Sequence, residues 1–70
     1  MAIEQIAYAR RLAKNGGARA IRQGAGLSLR DIARELDVYP MTVLRWERGE
    51  RVPRAEAAER YARLLKRLSR

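Results

Sequence analysis

Catalysis by side chains needs a nucleophile, a base poised near neutrality or a metal, and this sequence of 70 residues is poor in all three. It holds no cysteine and no histidine. That removes disulfides, thiolate and imidazole metal ligands, and every triad built on either residue. Glu35, Asp37, Glu47 and the three tyrosines remain, at spacings that join no nucleophile to a base. The reading is a non-enzyme, with no cofactor, no metal and no small-molecule ligand. The abundant functional group is the guanidinium. Of sixteen basic residues fourteen are arginine, set against eight acidic residues for a net charge of +8. Its planar fork of donors matches phosphate oxygens and the O6 and N7 of guanine. Nucleic acid is the leading partner on that basis, with a merely solvated basic surface as the alternative.

The elements that must position these groups read as helices throughout. Ile3, Ile6, Ala7 and Ala13 share one face of a first helix, while Tyr8 and Leu12 lie nearly opposite, so this helix is expected to have two apolar surfaces. It should stop near Asn15, Gly16 and Gly17, whose types tolerate a left-handed helix end. A short second helix from about Ala18 to Gln23 carries Ile21 inward, and Gly24, Ala25 and Gly26 break it. Ser28 followed by Asp31 is a helix-start signal, and Leu29, Ile32, Ala33 and Leu36 form the buried stripe of the third helix. A turn at Asp37, Val38 and Tyr39 precedes Pro40, a favoured first helical residue, and the fourth helix ends at Gly49. After the loop from Glu50 to Pro53, Ala57, Ala58, Tyr61, Leu64, Leu65 and Leu68 make one stripe of a last helix whose other face is almost wholly charged.

With no alternating strand pattern, repeat or low-complexity stretch, the expectation is an all-α fold: five helices in one compact domain spanning residues 1–70. Its apolar runs are a few residues long, far short of the ~20 needed to cross a bilayer, and no signal-peptide run follows Met1. The chain therefore reads as cytoplasmic, without a membrane partner.

Two short helices joined by a tight turn, the second rich in side chains able to touch bases, are the parts of a helix-turn-helix, placed here at about 28–48. Leu-Ser-Leu-Arg-Asp-Ile-Ala-Arg-Glu-Leu from Leu27, then Asp-Val-Tyr-Pro-Met-Thr-Val-Leu-Arg-Trp-Glu-Arg-Gly-Glu-Arg, closely resembles the Cro and repressor (Xre) family of bacterial and phage DNA-binding proteins. The resemblance covers about residues 19–54. It rests on Ala33, the Val38 to Val43 spacing, and Trp46, Glu47 and Gly49 together. It implies a lambda-repressor-like fold that binds double-stranded DNA, and a transcriptional regulator, foremost a Cro-like repressor on an operator, with a phage origin plausible. It also implies an ion pair between Glu47 and Arg22. Ala33, Val43 and Trp46 are expected to pack the helices and not to touch DNA.

Once Val43, Trp46 and Glu47 turn inward, the remaining face of the recognition helix is Met41, Thr42, Leu44 and Arg45. Arg45 is the expected guanine reader, and Met41 and Leu44 suit thymine methyl groups, against ordinary surface exposure or, for Met41, partial core packing. Thr42 has phosphate as its alternative. Phosphate contacts are expected from Ser28, Arg30, Arg48, Arg51 and Arg54, and from the Tyr39 phenol. Three positions depart from the family pattern. Leu29 replaces a common glutamine, Asp37 a common turn glycine, and Tyr39 a common Ser or Thr cap.

Family members usually pair on palindromes, so a homodimer is possible here. Tyr8 with Leu12 is one candidate dimer surface and the leucine stripe of the last helix another, which reads as core by preference. Two rival functions stay open: a recombination directionality factor that bends DNA, and an antitoxin-type protein-interaction module.

Overall fold

The computed structural model describes residues 2–70. Among them lie five helices and no strand: α1 (Ala2–Asn15), α2 (Gly17–Gly24), α3 (Leu29–Leu36), α4 (Pro40–Glu47) and α5 (Ala55–Leu68). None is long and apolar enough to cross a membrane.

Three of these helices end in the same way, and the shared ending explains the short connections. A left-handed residue follows the helix, and two backbone amides turn back to bond the last free carbonyls. After α2, Gly26 takes φ 72° while its amide donates to Gln23 and that of Leu27 donates to Arg22. After α3, Asp37 takes φ 57° and the amide of Val38 donates to Ala33 at 2.9 Å. After α4, Gly49 takes φ 74°, and the amide of Glu50 donates to Arg45 at 2.9 Å. Asp37 is the one non-glycine with positive φ among the described residues. Aspartate accepts this region better than most residues, so the turn closes without the glycine common at this position.

The core is built by inward residues of all five helices. Ile32, Ala33 and Leu36 of α3 meet Val43 and Trp46 of α4, and Ala58, Tyr61, Ala62, Leu64 and Leu65 complete it from α5. The Trp46 and Tyr61 rings pack with centroids 5.0 Å apart, tilted by 37°, an arrangement that adds to simple area burial.

α1 differs from the expectation of two opposed apolar surfaces. It has one broad buried arc centred on Ala9, with Ala9 and Ala13 buried and Ile6, Tyr8 and Leu12 half-buried against the core. Ile3, by contrast, is 67% exposed, and Ala7 is exposed too. The physical reason is the close crossing of α1 on α5, its main partner. Such a crossing favours small residues, and the buried alanines Ala9, Ala13, Ala58 and Ala62 weigh little in a hydrophobic pattern.

The leucine stripe of α5 goes to the core: Leu64 and Leu65 are buried and Leu68 is half-buried. That removes it as a dimer surface.

A Cβ at Gly24 or at Gly49 would meet nothing within 4 Å, yet only Gly49 has a positive φ. Substitution by alanine should therefore act in opposite directions. Gly49→Ala is expected to cost about 1–2 kcal/mol. Gly24→Ala, in the last turn of α2, should gain about 0.5–1 kcal/mol. Urea denaturation of both variants checks the contrast, and equal shifts of the same sign would refute it.

Candidate nucleic-acid interface

The interface begins at the start of α3. Ser28 Oγ accepts from the Asp31 amide at 3.0 Å, and the Asp31 carboxylate accepts from the Ser28 amide at 2.8 Å. This reciprocal cap satisfies two of the free donors at the helix end. The same bonds from Ser28, with Arg34 and Arg30 nearby, hold the Asp31 carboxyl below its ordinary value. The Leu29 and Arg30 amides have no intrahelical acceptor and point from a positive helix end, as suits an anion. Ser28 and Arg30 are both exposed.

The turn from Asp37 to Tyr39 delivers the chain to Pro40, the first residue of α4. Tyr39 contributes no side-chain cap, and its phenol is 80% exposed. Along α4 the faces then separate. Val43 and Trp46 are buried. Opposite them stand Met41, Arg45 and Arg48, all exposed, with Thr42 and Leu44 half-buried on the flanks. The outer ridge is thus Met41, Arg45 and Arg48, one helical turn apart, and Thr42 and Leu44 offer only part of their surface. Arg48 follows the last residue of the helix and lies 4.0 Å from Glu50, both side chains well exposed.

The inner side of α4 ends in a two-pronged ion pair. Arg22 Nε donates to Glu47 Oε2 at 2.7 Å, and its Nη2 donates to Oε1 at 3.0 Å. The third arm, Nη1, donates to the Leu27 carbonyl at 3.0 Å. The Arg22 side chain is 12% exposed and that of Glu47 3% exposed. The hydrogen bond to Glu47 raises the Arg22 pKa, so the guanidinium stays charged at any accessible pH. Nearby, burial pushes the Tyr61 phenol upward, with the Glu47 carboxylate adding to the shift, and Tyr61 stays neutral.

A family model described as helix-turn-helix matches residues 19–69. The chain belongs to the helix-turn-helix family. It is a DNA-binding protein with an all-α, lambda-repressor-like fold. No curated protein and no solved structure matches the chain.

In this helix-turn-helix protein the match takes in most of α2 and all of α3 to α5, and leaves out α1. Most of the arginines expected at phosphate sit on its exposed connections. Arg51 lies in the loop after α4, and Arg54 precedes the first residue of α5. The loop itself is held at both ends. The Glu50 and Arg51 amides donate back to the Arg45 carbonyl, and Arg10 Nε donates to the Pro53 carbonyl at 3.0 Å. Arg10 is the positioning residue that the sequence does not disclose. It acts across 43 residues of chain, and nothing local marks it among fourteen arginines.

Arg22→Ala strands a carboxylate that is almost wholly buried and is expected to cost about 3–5 kcal/mol in urea denaturation. Replacing both partners with methionine should cost much less than the sum of the single changes, because no charge is left unpaired. A loss within error for Arg22→Ala would show that the pair does not hold α4.

Acid stability tests the α3 cap. A carboxyl with a lowered folded pKa contributes stability that is complete above its ordinary value of 3.8 and lost as the pH falls through the lower folded value. The urea midpoint should fall less for Asp31→Asn than for the native chain between about pH 5 and pH 2. Parallel curves would assign the acid limb to other carboxylates.

Proposed function

We propose that this DNA-binding protein is a transcriptional regulator, a Cro-like repressor that occludes a promoter by holding an operator through α4 in the major groove. The observation that carries the reading is the outer ridge of α4. Arg45 and Met41 stand exposed on a helix whose opposite side is locked by Val43, Trp46 and the Arg22–Glu47 pair. Side chains on a fixed helix meet base edges without a large ordering cost. Met41 stands in the first turn of α4, whose residues commonly reach base edges, and the long Arg45 side chain extends the same ridge from the last turn.

In this reading Arg45 grips a guanine through O6 and N7. Met41, with the exposed part of Leu44, packs on thymine methyl groups, and Thr42 lies at the edge of the groove. Ser28, Arg30, Tyr39, Arg48, Arg51 and Arg54 hold phosphates on either side. They supply register and salt dependence without reading sequence. Two copies would bind a palindrome with recognition helices ~34–36 Å apart. With the α5 leucines in the core, the remaining candidate pairing surface is what Tyr8 and Leu12 on α1 leave exposed, since both are half-buried against the core and the Lys66 ammonium sits 5.0 Å from the Tyr8 ring centroid. The protein works where DNA is, in the cytoplasm of a bacterial or phage-infected cell.

Selection of preferred duplexes from a random pool at near-physiological salt tests the proposal. The expected product is a palindrome with half-sites about one helical turn apart. An absence of any enriched sequence would overturn the repressor reading. On the selected duplex, Arg45→Ala should lose about 1–3 kcal/mol of preference at one guanine position. Arg54→Ala should instead weaken all sequences alike and lower the salt slope by about 1.

A further inference from the structure

The helix-turn-helix leaves one feature of the molecule unused, and it is the most strongly charged one. From Arg60 to Arg70 the sequence holds five basic residues and no acidic one. Arg60, Arg63, Lys66, Arg67 and Arg70 together line a cleft of about 510 Å³ between α1, α3 and α5, and Glu35 is the one carboxylate among its lining residues. Glu35 is itself engaged with Arg67 at 3.6 Å.

This stripe faces away from α4. At about 100° per residue, Arg60, Arg63, Lys66 and Arg67 each lie at least about 100° around α5 from Tyr61, and Arg70 follows just beyond the helix end at Leu68. Tyr61 is the residue through which α5 touches Trp46 of α4. No α4 residue lines the cleft. A duplex lying along the outer ridge of α4 therefore meets the opposite side of a body measuring 29 × 26 × 22 Å.

Charged helix faces in water ordinarily mix signs, because like charges at three- and four-residue spacing repel. Within the cleft lining the five cations face one carboxylate, Glu35, an excess of positive charge that a bound anion would offset. We propose that the outer face of α5 is a second, sequence-independent site for the phosphates of a DNA duplex, so that one molecule holds two duplex segments at once. From Arg60 to Arg67 the stripe runs about 10 Å along the helix, over which a duplex presents roughly six phosphate charges. Four of its five cations are arginines, which bond phosphate oxygens in pairs. DNA held at α4 is already a long polyanion, so a distant segment of the same molecule reaches this face at high local concentration. The second site does not depend on which sequence α4 reads.

A bridging assay tests it. Beads carrying a mixed-sequence duplex are loaded with protein, and capture of a free fluorescent duplex is measured per molecule of bound protein at about 100 mM salt. The native chain should capture the labelled duplex. The triple variant R63Q/R67Q/R70Q should stay on the beads and capture at least about tenfold less. Thermal melting confirms that the variant, altered only at exposed positions, is folded. Capture by the variant equal to that of the native chain would overturn the proposal, since bridging would then come from two recognition helices of a dimer. Absence of capture by the native chain would overturn it too. Displacement of the labelled duplex by polyglutamate more readily than by unlabelled DNA would assign the face to an acidic protein instead. The repressor reading is judged separately, by duplex selection and by Arg45→Ala.

Discussion

A guanidinium clamped on a carboxylate between α2 and α4 sets the orientation of everything that α4 presents. Arg22 uses the Nε and Nη2 edge of its guanidinium on Glu47 and its Nη1 on the Leu27 carbonyl, just before the capped start of α3. One side chain thus fixes the end of the recognition helix and the beginning of the helix before it. Isolated burial of either charge would be costly, and the geometry offsets that cost only with both partners in place. Trp46, the residue beside Glu47, seals the same corner against Tyr61. The packed inner side of α4 thereby sets how its outer ridge is presented.

α1 lies outside the family match but is the main packing partner of α5. It closes the core with small residues, and Arg10 reaches from it to the Pro53 carbonyl. The loop bearing Arg51 is thereby tied to a helix distant in sequence. A domain this small has little buried surface in reserve, so a helix that both adds core and braces the loop after α4 matters more than it would in a larger domain.

Nine of the sixteen basic residues fall into two groups with different geometry. Arg45, Arg48, Arg51 and Arg54 follow the recognition helix and its exit, while the basic residues from 60 to 70 cover the outward face of α5. Only the first group lies along α4 and its exit, while the second borders α1 and α3.

Much of this was legible in the residues themselves, wherever the determining interaction is local. The Ser28 and Asp31 cap, the Asp37 turn, Pro40 at a helix start and Gly49 after a helix end are set by backbone chemistry within a few residues, and helix boundaries follow from them. The Arg22 and Glu47 pairing was legible only through family resemblance, since 25 residues separate the two. Tertiary structure alone decided the rest. It merged the two apolar sides of α1 into one arc, because close helix crossing buries alanines that carry little pattern. It committed the α5 leucines to the core, which periodicity could not tell from a partner surface. It singled out Arg10 among chemically identical arginines, and it turned the charged face of α5 away from α4. Each of these depends on where distant segments meet, and a one-dimensional pattern does not contain that information.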